Sequence, residues 1–157
     1  MTISKQLKNT MTSLAGEHAV ASQLCLKGYV ASLTLKNFPG VDIFYQNPET
    51  KKHGSLQVKT TQVSWIRIPE ESEKDQIYVL VNFQTTPPDF YIIPYEKLLK
   101  LANLERHLYI TKVKHRKPVV EKEQPLAITL TGSPDYSGYE EVTKELAHYK
   151  NAWELLG

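Results

Sequence analysis

The chain has 157 residues, of which 41% are hydrophobic and 23% charged, and this length and composition are typical of one globular domain. The net charge of +2 is too small to identify a polyanion-binding protein by itself. Because Cys25 is the only cysteine, an internal disulfide and a cysteine-rich zinc site are excluded, and a reducing, intracellular compartment is favoured.

The N-terminal segment predicts a helix over residues 4–26 rather than a targeting signal. It lacks the apolar core of a signal peptide, and no segment approaches the roughly 20 apolar residues of a membrane span, so we expect a cytoplasmic protein. Gly28 is a suitable C-terminal cap for the helix. Its apolar side chains recur at the three- and four-residue steps of one helix face: Leu7, Met11, Leu14, Ala21, Leu24 and Cys25.

The middle of the chain predicts a sheet. Apolar and alternating segments indicate strands over residues 29–35, 41–45, 55–61, 77–83 and 90–93. A short helix over residues 94–102 follows, and residues 111–138 are assigned to a loop with one short strand at 126–130. Helical spacing returns over residues 139–156. This order predicts an α/β layer fold whose central sheet is mixed.

Glu17 is unusual because it shares a helix face with apolar residues. Steps of three and four residues place Leu14 and Ala21 beside it. A buried carboxylate normally acquires a cation or hydrogen-bond donors, because burying an unpaired charge costs several kcal/mol. The alternative is that Glu17 lies at the edge of the apolar face and reaches solvent.

Polar side chains also interrupt two of the predicted strands. Asp42 follows the Pro39-Gly40 turn in a strand, where Asp is disfavoured, and either belongs to a site or caps the turn through backbone N–H groups. Gln57 and Lys59 share one face of the next strand, which is either a solvated face or part of a site. If the two strands form a hairpin, Asp42 lies within reach of this pair.

One arrangement accounts for all these side chains, namely a metal-dependent site that hydrolyses phosphodiesters. Such hydrolysis requires a water activated by a metal and neutralisation of charge. Because Mg²⁺ prefers oxygen ligands, Asp42 is predicted as the central ligand, supplemented by the side-chain oxygen of Gln57 and the Val58 carbonyl. Glu17 is predicted to bind through water or to hold a second ion. Lys59 is predicted to polarise the attacking water or to stabilise the phosphorane charge.

The same residues resemble the motifs of the PD-(D/E)XK nuclease superfamily. In that family a helix carries Glu, a strand carries Asp, and the following strand carries (Asp/Glu)-X-Lys. Here Gln57 stands in the acidic position, which is similar to the Gln-X-Lys variant of restriction-type nucleases. The matching segments are Gly16-Glu17-His18-Ala19-Val20-Ala21, Pro39-Gly40-Val41-Asp42 and Gln57-Val58-Lys59-Thr60.

The resemblance implies one restriction-endonuclease-like domain over residues 1–157, a three-layer α/β fold with a mixed β-sheet flanked by helices. It implies an endodeoxyribonuclease that uses Mg²⁺ or Mn²⁺ on duplex or branched DNA, with Glu17, Asp42, Gln57 and Lys59 as catalytic residues. A symmetric homodimer is the simplest arrangement for cutting both strands. Since Gln57 removes a negative charge from the metal site, the alternative is a weakened or inactive nuclease-like fold that serves as a nucleic-acid-binding or assembly subunit. A structural or inhibitory protein is a third hypothesis.

A basic run offers further phosphate contacts, and Lys5 and Lys8 add positive charge near the first helix. The basic run predicts either contacts to backbone phosphates or a solvated loop. It consists of Lys112, Lys114, His115, Arg116 and Lys117.

The remaining polar and aromatic residues are less specific. His18 and His53 lack the spacing of a zinc helix and are predicted at the surface or behind the metal ligands. Tyr149 and Trp153 stand four residues apart on the last predicted helix, as a core or dimer contact. Ser13 has no His–acid pair near it in sequence, so covalent catalysis is not expected.

Overall fold

The computed structural model describes residues 3–35, 38–113, 124–132 and 138–157. No helix within these ranges has the length and apolar character needed to cross a bilayer. The elements follow in the order α1 (Lys5–Leu26), β1 (Val30–Leu33), β2 (Ile43–Gln46), β3 (His53–Thr61), β4 (Trp65–Arg67), β5 (Ile77–Asn82), β6 (Asp89–Pro94), α2 (Tyr95–Val113), β7 (Ala127–Thr129) and α3 (Tyr139–Ala147), with a 3₁₀ helix at Trp153–Leu156.

A five-stranded sheet in the order β1-β2-β3-β5-β6 forms the centre of the protein. The β1–β2, β2–β3 and β5–β6 pairs are antiparallel, whereas β3 and β5 are parallel. Parallel neighbours need a crossover connection. Here the crossover contains β4, which pairs with β7 in a separate two-stranded ribbon. The predicted mixed sheet is therefore confirmed.

The sheet is buried on both faces, because successive residues of β5 enter different cores. Val79 packs with Val20 and Leu24 of α1. Leu80 packs with Leu98 of α2, Val142 of α3 and the apolar side of the ribbon. The result is a layer of helix, a mixed sheet, and a layer of two helices with the ribbon, which confirms the predicted three-layer α/β architecture.

Only part of α1 packs on the sheet. Its buried residues are Gly16, Val20 and Leu24. The predicted apolar stripe is wrong for Leu7 and Met11, which are about half exposed, and for Cys25, which is also exposed. The helical spacing of these residues is real, but the sheet covers only the C-terminal half of the helix. Which apolar residues are buried therefore depends on where the sheet lies.

Gly16 allows α1 to lie directly on β3. A Cβ atom at Gly16 would overlap Oγ1 of Thr60 and lie 2.9 Å from the Thr60 Cβ. Real side chains do not approach this closely, so any other residue would push the helix away from the strand. This contact determines the height of the neighbouring Glu17 above β3.

Two helix predictions are corrected by the structure. The helix predicted over residues 94–102 continues to Val113, because Leu104, Leu108 and Ile110 extend its apolar face against the core. The helix predicted over residues 139–156 ends at Ala147. Beyond Ala147 the chain is hydrogen-bonded to strand β6 instead, since the Ile92 N–H donates to the Tyr149 carbonyl at 2.9 Å. Tyr149 and Trp153 are therefore not on one helix.

Candidate active site

Asp42 lies immediately before β2 rather than within it. Ile43, the first residue of β2, is opposite Leu56 of β3, so one further step of this register places Asp42 opposite Gln57. The Asp42 N–H donates to the Leu56 carbonyl, and the Thr34 N–H donates to the Asp42 carbonyl, both at 2.9 Å. Backbone hydrogen bonds to both neighbouring strands therefore hold Asp42 in place.

Among the described residues, no strand pairs with one edge of β3 beyond this point, and we call this edge open. Leu56 is the last β3 residue that β2 covers, whereas β5 accompanies β3 on the other side as far as Thr61. The Val58 N–H points to the open edge and donates to Oδ2 of Asp42 at 2.7 Å. Because the N–H and C=O of a strand residue point to the same side, the Val58 carbonyl faces this edge as well.

The four predicted catalytic residues line one cleft of about 500 Å³ along the open edge. Glu17 enters from α1, where the Gly16 contact brings the helix onto β3. Gln57 and Lys59 alternate with buried Val58, and all three line the cleft. Glu17, Asp42, Gln57 and Lys59 are each partly buried. The structure thus brings the predicted residues together, and their catalytic role stays a prediction.

The Asp42 carboxylate has a structural contact as well as a place in the cleft. Oδ2 accepts the Val58 N–H, so Asp42 does bind a backbone N–H group, as the alternative interpretation predicted. The donor belongs to the next strand, however, and not to the turn. A carboxylate has two oxygens and about four acceptor positions. One backbone hydrogen bond therefore orients Asp42 and leaves it able to bind a cation.

The groups of the cleft that could hold a cation are oxygen donors. They comprise the carboxylates of Glu17 and Asp42, the amide oxygen of Gln57 and the carbonyl of Val58. Within the described ranges, no group of three or more His, Cys, Asp or Glu side chains could hold a metal ion. One or two carboxylates with neutral oxygens are typical of Mg²⁺, which keeps several waters, and differ from the nitrogen and sulfur ligands of zinc. The donor set therefore fits Mg²⁺ or Mn²⁺.

Two further residues of the cleft were not predicted as site residues. Ser13 precedes Glu17 by four residues and lines the same cleft, as this helical spacing could have indicated. Arg67 of β4 lines the cleft from the ribbon. In the sequence Arg67 stands between Ile66 and Ile68, which is the polar–apolar alternation of a strand, and both isoleucines are buried in the structure. A three-residue strand is too short to be recognised from this pattern.

Tyr78 lies behind the cleft, beside Gln57 in the parallel β3–β5 register. Burial raises the pKa of its hydroxyl above the ordinary value, the hydrogen bond to Ser72 opposes this rise, and the negative charge of Asp42 adds to it. Because the pKa is raised from 10.0, the phenol is protonated at neutral pH. Tyr78 is thus a hydrogen-bond donor and not a base.

The other predicted polar and aromatic residues lie away from the cleft. His18 and His53 are exposed and do not line it. Lys112 is exposed near the end of α2, whereas residues 114–117 of the basic run lie outside the described residues. Trp153 is buried and packs on Phe90 with ring centroids 5.5 Å apart, so it is a core residue.

Comparison with known proteins identifies the fold. No model of a known protein family matches the sequence, and no curated protein matches it. A bacterial homing endonuclease, I-Ssp6803I, is similar in structure, with a TM-score of 0.52 and 13% sequence identity over 99% of this chain and 92% of that chain. At this identity the likeness establishes the fold alone. The chain has a nuclease-like fold, and the cleft lies at the open edge of its central strand β3.

Proposed function

We propose that this protein is a metal-dependent DNA endonuclease of the PD-(D/E)XK superfamily, built as a single domain. The observation that carries the proposal is the meeting of Glu17, Asp42, Gln57 and Lys59 in one cleft at the open edge of β3. The likeness to a homing endonuclease supports the proposal, since it was found over nearly the whole chain.

The oxygen donors of the cleft would hold the metal ion. Asp42 would bind it through its carboxylate, which the Val58 N–H orients, while the Gln57 amide oxygen and the Val58 carbonyl would complete the protein ligands. Glu17 would contribute through a water or hold a second ion. When bound, such an ion supplies an activated water and neutralises phosphate charge.

Two cationic side chains, Lys59 and Arg67, interact with the phosphate. Lys59 projects from the same face of β3 as Gln57, so its ammonium group stabilises the negative charge that develops on the phosphorus oxygens. Arg67 lines the cleft from the ribbon and can hold a non-bridging oxygen through its guanidinium group. Lys59 therefore acts on the reacting group, and Arg67 helps to bind it.

Cleavage of supercoiled plasmid and branched DNA with Mg²⁺, with Mn²⁺ and with EDTA tests the proposal. Asp42→Asn keeps an oxygen that can accept the Val58 N–H but removes the charge, and we expect a rate loss of about 100-fold or more, as with Lys59→Ala. Asp75→Asn, at an exposed position outside the cleft, is the matched control. Full activity of Asp42→Asn in a folded protein would remove the assigned site.

The alternative function, a nucleic-acid-binding or assembly subunit, is favoured by one observation. Gln57 is neutral where the family pattern has an acid, so among the described residues the cleft offers two carboxylates to a cation. In that case the wild type binds DNA and cuts none of the substrates with either metal. Gln57→Glu restores the acid and should strengthen metal binding. If this variant cuts DNA, the wild type is a weakened enzyme, and if it does not, the wild type is a binding module.

A further inference from the structure

A second groove opens from the candidate active site. It has a volume of about 710 Å³ and follows the N-terminal half of α1, and we name it the α1 groove. The groove and the cleft share Ser13, Glu17 and Asp42. A polymer whose reacting bond lies in the cleft would therefore continue into the groove.

The helix side of the α1 groove offers a line of hydrogen-bond donors that ends in a cation. Gln6, Asn9 and Ser13 lie at steps of three and four residues and lead to Lys5 at the outer end. Neutral amides and hydroxyls contact the sugar–phosphate backbone in protein–DNA complexes, and lysine neutralises phosphates. At about 1.5 Å per residue, Lys5 lies about 18 Å from Glu17 along the helix.

The opposite side of the groove presents an aromatic ring. Phe38 is 54% exposed. Phe44 of β2 supports it edge-on, with ring centroids 5.7 Å apart and an angle of 74° between the planes. The ring is thus accessible to a ligand and held by a neighbour. Stacking of bases on such aromatic rings is the usual way in which proteins bind single strands.

The exposed aromatic ring distinguishes an unpaired strand from a duplex. A volume of about 710 Å³ lies within the range of about 300–1,000 Å³ that encloses a drug-sized ligand, a scale of one or a few nucleotides. A duplex hides the faces of its bases in its own stack, so only an unpaired base can stack on Phe38. Glu17 and Asp42 at the inner end repel phosphates, and a divalent cation held there removes this repulsion.

We infer that the α1 groove binds an unpaired DNA strand next to the cleaved bond, so that the substrate is branched or single-stranded-tailed DNA. Phe38 stacks on a base of this strand and Lys5 contacts a phosphate farther along it. The cleavage part of the inference rests on the proposed function, whereas the binding part does not.

Binding of a labelled forked DNA with single-stranded arms, compared with a duplex of the same sequence, tests the inference. Fluorescence anisotropy is measured on the full chain with Ca²⁺. We expect the fork to bind about 10-fold more tightly, and Phe38→Ala and Phe38→Leu to lose about 10-fold on the fork alone, the effect of one stacked base. Lys5→Gln should lose about threefold at low salt and reduce the salt slope by about one.

The controls are exposed residues outside the α1 groove. Lys8→Gln changes a lysine on the same helix, and Tyr109→Ala removes an exposed aromatic ring elsewhere, so neither should alter the preference for the fork. Equal binding of fork and duplex, or unchanged fork binding by folded Phe38 variants, overturns the inference.

The Mg²⁺ cleavage assay on the same two DNAs separates the two proposals. A fork that is bound through Phe38 and never cut contradicts the proposed function and supports the groove. Equal cutting of fork and duplex by wild type and Phe38→Ala supports the enzyme and contradicts the groove.

Discussion

Asp42 in the cleft and Glu105 at the contact between α2 and β7 are two carboxylates that differ in their partners. Asp42 is partly buried at the open strand edge, where Oδ2 accepts the Val58 N–H. Glu105 of α2 is buried, and both of its oxygens accept from Thr129, one from the N–H at 2.9 Å and one from the hydroxyl at 2.6 Å. The first arrangement keeps the carboxylate available to a ligand from solvent, whereas the second uses it to join a helix to a strand.

The largest effect is expected at the helix contact of the cleft, in Gly16→Ala. At an open helix position this change stabilises by about 1 kcal/mol, because Ala has the higher helix propensity. Here the added Cβ overlaps Thr60, so we expect a loss of about 2 kcal/mol in the free energy of unfolding. Because Glu17 moves with the helix, cleavage should fall at least about 10-fold. Urea unfolding and plasmid cleavage measure the two effects.

The control for Gly16→Ala is Ser22→Ala, at an exposed position of the same helix, which should change stability by no more than about 0.5 kcal/mol. Thr60→Ala should recover part of the loss in a double variant, because it removes the overlapping hydroxyl. That hydroxyl has no hydrogen-bond partner within the described ranges, so its loss alone costs little. If Gly16→Ala stabilises the protein, the close contact of α1 with β3 is contradicted.

The sequence indicates the residues that meet in the cleft because their signals are local. Asp42, Gln57 and Lys59 are visible through strand alternation, and the hairpin that joins them has a short polar loop. The open edge is not visible, since it depends on β2 beginning at Ile43 while β3 continues to Thr61. Relative strand lengths of this kind are set by pairing in three dimensions and leave no periodic pattern.

Strand β7 confirms the short strand predicted at 126–130, but its partner β4 and the end of the chain escape prediction for a related reason. Trp65 of β4 pairs with Thr129 of β7, which lies far along the sequence, and each strand has only three residues. The apolar spacing of the last helix continues beyond Ala147, but there the backbone forms hydrogen bonds with β6 and the helix ends. In both regions a partner distant in sequence overrides local propensity.

The next largest effect is the loss of stability expected when Glu105, the structural carboxylate, is removed. Glu105→Ala leaves the N–H and hydroxyl of Thr129 without their acceptor, so we expect a loss of about 2 kcal/mol in stability. Cleavage by the folded variant should be unchanged, because Glu105 does not line the cleft. Glu145→Ala, at an exposed position of α3, is the control and should shift the unfolding midpoint little.

Glu105 also makes stability depend on pH. Burial raises the pKa of its carboxyl above the ordinary value of 4.5, although the hydrogen bonds from Thr129 oppose the rise. The folded state therefore keeps a proton that the unfolded chain has lost, so this stabilising contribution is complete below the unfolded pKa and is lost as pH rises through the folded pKa. Glu105→Gln cannot titrate. The difference in unfolding free energy between wild type and Glu105→Gln should fall with rising pH and level off, and a rise would contradict the raised pKa.

The smallest effects are expected from a Thr→Val substitution, made once beside Asp42 and once beside Glu105. Thr34→Val removes the hydroxyl that donates to the Val41 carbonyl at 2.6 Å, beside Asp42, and should cost about 1 kcal/mol in stability and lower kcat a few-fold. Thr129→Val removes the hydroxyl donor to Glu105, so the pKa of Glu105 should rise further and the pH-dependent loss of stability should extend to higher pH, without an effect on kcat. Both variants replace a hydroxyl by a methyl group of similar size. If Thr129→Val lowers kcat as much as Thr34→Val does, the two carboxylates are coupled through the sheet, and the division between an available and a structural carboxylate is wrong.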